Sequence, residues 1–141
     1  MEDFVTYEIA VKLKEKGFKD LCFAYYTNTN DLYFNYSHKA GAKYSDCYLS
    51  HNLMPKDSVS GKFVDAPTIS QVLKWLRNEK CLHIEFVSAA YGYIFIVSKT
   101  PNCGGTDIYH GYNQGTNDDG AWDEYKECEF AGIKYVLDNL I

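Results

Sequence analysis

Two pairings of a cysteine with a histidine are the residues best suited to chemistry in this sequence. Cys81 and His83 lie two residues apart on a predicted strand, where alternate side chains share a face, so a thiolate and an imidazole could meet there. Cys103 precedes His110 in a glycine-rich segment, and loops often carry nucleophiles. For neither pair does the sequence identify a third residue that would orient the imidazole. We therefore assign no catalytic residue.

Motifs for metals and phosphates are incomplete. Cys47 and His51, together with Cys103 and His110, could supply four zinc ligands, but neither spacing is typical of structural zinc sites. The stretch GTNDDG at 115–120 lacks both the first ligand and the final glutamate of an EF-hand. The glycine-rich stretches also lack the lysine and hydroxyl residue of a P-loop and the glycine spacing of a dinucleotide fold. The sequence therefore predicts no metal ion and no cofactor.

Charge and cysteine usage narrow the classes of protein further. The 141 residues carry 14 basic and 19 acidic side chains, a net charge of -5, which disfavours nucleic acid as a partner. The N-terminus has no basic region followed by an apolar run, and no segment approaches the roughly 18 apolar residues of a membrane span. Five cysteines without a C-x-x-C pair are typical of reduced thiols. These features predict a cytoplasmic protein with no membrane partner.

Local signals in the first half predict a helix followed by a hairpin. Thr6 can cap the helix, and Gly17 supplies the left-handed residue that ends it. Strand-forming runs at 21–28 and 31–37 are separated by Asn and Asp residues that suit a tight turn. A further strand is expected at 43–50.

The second half repeats this pattern and adds a closing helix. Thr68 and Gln71 form a capping box, in which each side chain satisfies a backbone donor of the other residue. Strand-forming runs at 81–87 and 91–99 predict a second hairpin. A last helix is expected over about 121–140, with Asp118 and Asp119 as its caps.

These elements predict an α+β fold. Their order is α-β-β-(β)-α-β-β-(β)-α, with a mainly antiparallel sheet of about four to six strands and helices packed on one face. A length of 141 residues suits one core, so a single domain is expected over 1–141.

Three stretches carry a resemblance to known proteins: FVTYEIAVKLKEKGF at 4–18, CFAYY at 22–26 and APTISQVLKWLR at 66–77. They resemble a family of small uncharacterised proteins encoded by phages, prophages and conjugative elements of gut bacteria. The resemblance covers about a third of the chain and implies an accessory protein of a mobile element. It implies no activity and no functional residue.

Strand alternation predicts two different faces for the sheet. If Leu82, Ile84 and Phe86 face the helices, the side chains between them face the other way. The same alternation in the other strands adds aromatic side chains to this second face. An aromatic face that stays open marks an interface. We call this predicted surface the aromatic sheet face, and it consists of Tyr25, Tyr33, His83, Glu85, Tyr91, Tyr93 and Phe95.

A carboxylate interrupts the apolar stripe of the last helix. Glu129 falls in one helical stripe with Trp122 and Ile133, where it would be either partly buried or solvated beside Lys126. A partly buried Glu129 is available for proton transfer or cation binding. With His110, it suggests a pocket between the glycine-rich segment 102–120 and the outer sheet face.

Two functions fit these observations. The favoured one is a non-enzymatic accessory or protein-binding module that associates with itself or binds a host protein through the aromatic sheet face. The alternative is a small enzyme or small-ligand-binding protein that uses the pocket beside the glycine-rich segment.

Overall fold

A computed structural model of the chain describes residues 3–27, 32–34, 64–111 and 113–141. The chain groups into two compact units, Met1–Gln71 and Val72–Ile141. Helices and antiparallel strands are both present, which confirms the predicted α+β class. In chain order the elements are α1 (Tyr7–Glu15), β1 (Ala24–Tyr26), β2 (Leu32–Phe34), β3 (Val64–Asp65), α2 (Ile69–Glu79), β4 (Leu82–Ala89), β5 (Gly92–Lys99), a 3-10 turn (Pro101–Cys103), β6 (Asp107–His110) and α3 (Tyr125–Asn139).

Helix α1 begins and ends where its sequence signals predict. The Thr6 hydroxyl accepts a hydrogen bond from the Ile9 N–H at 3.3 Å, which satisfies one of the backbone donors that a helix leaves open at its start. Gly17 adopts a φ of 90°, and the Phe18 N–H then donates to the Leu13 carbonyl at 2.9 Å. The helix buries its apolar stripe in the first unit.

The first unit contains a three-stranded sheet with the order β2-β1-β3. β1 and β2 pair as the predicted hairpin, with Tyr25 opposite Tyr33. The Tyr26 hydroxyl donates to the Val5 carbonyl at 2.7 Å, which joins β1 to the residues preceding α1. β3 lies at the end of a connector for which no strand is expected, and the strand expected at 43–50 lies outside the described residues.

The predicted capping box at the start of α2 is present. The Gln71 N–H donates to the Thr68 hydroxyl at 3.2 Å, and the Thr68 N–H donates to the Gln71 side-chain oxygen at 3.0 Å. The Gln71 side-chain amide also donates to the Leu21 carbonyl at 2.9 Å. The box thus fixes the first turn of α2 and ties it to the chain ahead of β1.

The second unit contains a three-stranded antiparallel sheet with the order β4-β5-β6. β4 and β5 form the predicted second hairpin through a two-residue turn at Ala90 and Tyr91. A Cβ on Gly92 would come within 2.7 Å of the Trp122 carbonyl, and its φ of 139° also favours glycine. The single sheet expected from the sequence is thus replaced, within the described residues, by two sheets of three strands each.

Helix α3 packs directly on one face of this sheet. Gly132 allows the close approach, because a Cβ there would lie 3.0 Å from Phe86 Cε1 and 3.2 Å from Phe95 Cγ. Ile133, which follows it, is fully buried. Within the described part of the chain, no helix is long and apolar enough to span a membrane.

The glycine-rich segment is built around Asn117. Its side-chain oxygen accepts hydrogen bonds from the Ala121 N–H at 2.9 Å and the Asp119 N–H at 3.0 Å. Its amide donates to the Tyr91 carbonyl at 2.8 Å. The chain then pairs Trp122 with Tyr93 in an isolated bridge.

This bridge shortens the last helix. The expected start near residue 121 is wrong, because Trp122 is held in extended backbone, and α3 begins only at Tyr125. The expected caps Asp118 and Asp119 are also wrong, because the N-cap position is taken by Glu124. Its side chain makes no capping hydrogen bond.

We expect Thr68→Ala to lower the free energy of unfolding by about 1 kcal/mol, because it removes the acceptor for the Gln71 N–H. Thr68→Ser keeps the hydroxyl and should retain most of the stability. Urea denaturation measures both changes, with the exposed Ser70→Ala as control on the same helix. Equal loss in Thr68→Ser and Thr68→Ala would contradict the capping role.

Candidate functional site

The aromatic sheet face does not exist as predicted in the second unit. Phe86 lies directly opposite Phe95, and Ser88 lies opposite Tyr93. Residues directly opposite in an antiparallel pair share a face, so Tyr93 and Phe95 lie on the face that α3 covers. The expectation that they face away from Phe86 is wrong. Tyr91 lies in the hairpin turn and is 44% exposed.

An aromatic cluster forms where the sheet meets α3. Phe95 is only 2% exposed, and its ring centroid lies 5.5 Å from that of Trp122 and 6.0 Å from that of Tyr135. Tyr109 stacks on Tyr135 with a centroid distance of 3.8 Å. Phe95 and Trp122 belong to the core of the second unit and the two half-buried tyrosines flank them, so the main contribution of the cluster is burial of apolar surface.

The other members of the predicted face lie apart from this cluster. Tyr25 and Tyr33 stack on each other at 5.8 Å in the sheet of the first unit, and Tyr33 is 48% exposed. His83 and Glu85 lie on the face of the second sheet opposite to α3, where His83 is half-buried and Glu85 is exposed.

We expect Phe95→Ala to destabilise the protein by about 3 to 5 kcal/mol, because it empties a large volume in the core. Tyr91→Ala, in the exposed turn, should change the free energy of unfolding by no more than about 0.5 kcal/mol. Chemical denaturation of the two variants distinguishes a core role for Phe95 from a surface role. Similar small effects at both positions would contradict the packing described above.

The alternative pocket predicted around His110 and Glu129 is not assembled. His110 lies opposite Ile96, on the outer face of the sheet, whereas Glu129 belongs to α3 on the other face. His110 Nε2 lies 3.5 Å from Asp107 Oδ2. In the described ranges, no group of three or more His, Cys, Asp or Glu side chains could hold a metal ion.

A different pocket opens on the outer face of the second unit, with a volume of about 340 Å³. His83 and Ser98 are directly opposite each other in the hairpin and form its floor. Arg77 approaches from the last turn of α2, so helices approach both faces of this sheet. We call this site the hairpin pocket; it is lined by Arg77, His83, Ser98, Lys99, Thr100, Pro101 and Gly105.

One side of the hairpin pocket is the loop of residues 100–105, which is held by its own hydrogen bonds. The Cys103 and Gly105 N–H groups donate to the Thr100 carbonyl at 2.9 and 3.1 Å. The Lys99 N–H donates to the Thr106 carbonyl at 2.9 Å, which closes the base of the loop. The backbone therefore presents Thr100 to the pocket in a fixed position.

Thr100 carries an unsatisfied hydroxyl. The residue is only 7% exposed, and among the described residues its Oγ1 has no hydrogen-bond partner. A buried hydroxyl without a partner costs on the order of 1 to 3 kcal/mol. A buried polar group of this kind calls for a partner from outside the chain, such as a water molecule, an ion or a ligand.

A disulfide between Cys81 and Cys103 joins the loop to the turn between α2 and β4, with the two Cα atoms 6.1 Å apart. The expectation that the cysteines are reduced thiols is therefore wrong for this pair. Because Cys81 is bonded to Cys103, it offers no thiolate to His83, so the nucleophilic pairing considered from the sequence is absent. Cys22 and Cys128 are buried thiols, and Cys47 lies outside the described residues.

Glu129 influences two groups on α3. Burial, followed by the nearby Glu129 carboxylate, raises the pKa of the Cys128 thiol to about 12. Burial, followed by the Glu129 carboxylate, also raises the pKa of Tyr125. Both effects favour the neutral form of the side chain, so Cys128 is an inert core residue rather than a nucleophile.

We expect iodoacetamide at pH 8 to leave Cys128 unmodified in the folded protein, because about one thiol in ten thousand is ionised there. In urea the same residue should react readily. The pKa of the Cys128 thiol is higher in the folded protein than in the unfolded chain. The free energy of unfolding should therefore fall as the pH rises from 9.0, the ordinary pKa of the thiol, towards about 12, its pKa in the folded protein. Mass spectrometry of labelled peptides tests the first expectation, and rapid alkylation of the folded protein would contradict it.

Of the important residues of the hairpin pocket, only His83 was predicted from the sequence as a candidate. Arg77 is distant in sequence from the adjacent Lys99 and Thr100, and the three residues match no motif. The available signal was the turn-forming stretch KTPNCGG directly after a strand, which brings a cation, a hydroxyl and a cysteine to one end of the sheet.

Comparisons with known proteins give no guide to function. No protein-family model matches the chain, and no curated protein or solved structure matches it either. The chain has an α+β fold and a small pocket lined by basic side chains. This pocket is the feature of the structure that bears on function.

Proposed function

We propose that the second unit binds a small organic anion, a phosphate monoester or a carboxylate, in the hairpin pocket. Three nitrogen-bearing side chains line it, Arg77, His83 and Lys99, and its lining contains no carboxylate from the described residues. A guanidinium binds phosphate and carboxylate groups through two parallel hydrogen bonds, and an ammonium adds a point charge. The lining therefore favours an anionic ligand over a cationic or neutral one.

The cations of the pocket are free to bind a ligand. Among the described residues, no ion pair involves Arg77 or Lys99, and both side chains are exposed. Surface cations that already pair with carboxylates would have to break those contacts before they bound an anion. Here that cost is absent, so more of the binding energy remains for the ligand.

The observation that carries the proposal is Thr100, a residue of the pocket lining whose buried hydroxyl has no hydrogen-bond partner among the described residues. Rotation about χ1 moves the hydroxyl of a threonine among three staggered positions, so the hydroxyl can turn towards a ligand oxygen. A phosphate or carboxylate oxygen supplies the acceptor that the described chain does not. Charge-assisted hydrogen bonds of this kind are about twice as strong as neutral ones.

The dimensions of the pocket limit the ligand to a small molecule. Its volume of about 340 Å³ is at the lower end of the range found for ligand sites. Pro101 and the aliphatic stems of Arg77 and Lys99 offer apolar contacts beside the polar groups. An anionic head with a compact body fits this combination better than a bare inorganic ion or a polymer.

The overall charge of the chain works against long-range attraction of an anion. A net charge of -5 repels anionic ligands at a distance, so affinity has to come from the local groups of the pocket. The same charge disfavours nucleic acid as a partner. Binding should therefore weaken as salt is added, because Arg77 and Lys99 are solvent-exposed.

The other roles predicted from the sequence are compatible with ligand binding. A mobile-element accessory protein that associates with itself or binds a host protein can also carry a ligand site. These roles stay predictions, and in the second unit two residues of the aromatic sheet face, Tyr93 and Phe95, pack against α3 rather than facing outwards. The small-ligand alternative is the function that we favour.

We expect inorganic phosphate to bind the parent chain with a dissociation constant on the order of 1 mM at low salt. Arg77→Ala and Lys99→Ala should each weaken binding by about tenfold, because each removes a cation from the pocket. Thr100→Val should weaken binding several-fold without loss of stability, because it removes only the unsatisfied hydroxyl. NMR titration of the amide signals measures all three affinities.

Lys74→Ala is the matched control, because Lys74 is an exposed cation on α2 that does not line the pocket. It should bind phosphate as the parent chain does. Parallel titrations with acetate and with phosphate distinguish a carboxylate site from a phosphate site. If Arg77→Ala and Lys74→Ala bind phosphate equally well, the hairpin pocket is not the binding site.

A further inference from the structure

We propose that the Cys81–Cys103 disulfide regulates the hairpin pocket, with the oxidised protein as the form that binds the anion. This inference rests on the proposed function and adds a control to it. The pocket is lined by the last turn of α2, by β4 and by residues between 98 and 105. The disulfide covalently joins the turn between α2 and β4 to the last of these segments. Its reduction would therefore change the site without touching any residue that contacts the ligand.

The positions of the two cysteines suit this role. Cys81 lies between Arg77 of α2 and His83 of β4, both of which line the pocket. Cys103 lies between Pro101 and Gly105, which line the opposite side. The bond thus spans a sequence separation of 22 residues and holds the cationic end of α2 close to the 100–105 loop.

The β4–β5 ladder ends at the pair of Leu82 and Lys99, so the disulfide and one further hydrogen bond lie beyond it. The hydrogen bond from the Thr100 N–H to the Cys81 carbonyl, at 3.0 Å, joins the same two segments. The other hydrogen bonds of the 100–105 loop are internal to the loop or to its base. Reduction should therefore leave the loop folded but allow it to move relative to Arg77.

The backbone at Cys81 adds a second reason for a change on reduction. Cys81 has a φ of 57°, a left-handed conformation that is strained for a residue other than glycine. Such a conformation persists only when its surroundings hold it. The covalent bond to Cys103 is one such restraint, and without it the turn between α2 and β4 can relax.

The chemical step is thiol–disulfide exchange with a dithiol reductant. A thiolate of the dithiol attacks one sulfur of the Cys81–Cys103 bond and forms a mixed disulfide, and its second thiol then displaces the remaining sulfur. The protein gains two electrons and two protons and carries two thiols, while the dithiol becomes a cyclic disulfide. Both cysteines are partly exposed, so a reductant can reach the bond.

The test compares phosphate binding by the oxidised chain and by the same chain reduced with dithiothreitol. We expect reduction to weaken phosphate binding by about tenfold, and removal of the reductant with reoxidation to restore it. NMR amide signals of Gly104 and Gly105 should shift on reduction, while those of the α3 core should stay in place. The titration uses the parent chain, so it does not depend on whether a cysteine variant folds.

Cys81→Ser/Cys103→Ser is the matched variant. It should bind phosphate as weakly as the reduced chain and should not respond to dithiothreitol. If the oxidised and reduced chains bind phosphate equally well, the regulatory role is overturned while the hairpin pocket remains the binding site. If the oxidised chain binds neither phosphate nor acetate, both this inference and the proposed function are overturned.

Discussion

The register of the β4–β5 hairpin is the constraint on which the second unit depends. Its two-residue turn places Phe86 opposite Phe95 and His83 opposite Ser98. A shift of one residue would move every side chain of one strand to the other face of the sheet. The aromatic core under α3 and the polar floor of the hairpin pocket would then both be lost. One pairing therefore determines both the stability of the unit and the chemistry that its outer face offers.

The hairpin pocket shows how a small fold can separate these two roles. The face towards α3 consists of closely packed rings and aliphatic side chains, with Gly132 allowing the helix backbone to approach them. The opposite face keeps polar groups at the end of the hairpin, where the last turn of α2 and the 100–105 loop meet. Arg77, Lys99 and Thr100 lie outside the aromatic core, so we expect substitutions at these positions to leave that core intact.

The signals that predicted structure correctly are those that act over a few residues. Thr6 and Thr68 cap their helices because their hydrogen-bond partners lie three residues away, and this spacing is visible in the sequence. The hairpins were predicted from alternation and turn residues. Alternation divides β5 into two sets of side chains, but it does not say which set meets a helix, so Phe95 was assigned to the wrong face. Pairing of Cys81 with Cys103 depends on tertiary proximity, which local spacing does not reveal.

The loop between β6 and α3 has a practical consequence. Its two ends are attached to nearby positions on β5, because the Gly111 N–H donates to the Phe95 carbonyl at 2.7 Å and Trp122 pairs with Tyr93. The entropy of closing such a loop grows only slowly with its length. Asp118 and Asp119 are exposed at its far side. We therefore expect foreign peptides, fluorescent labels or new chain termini introduced there to disturb the sheet little.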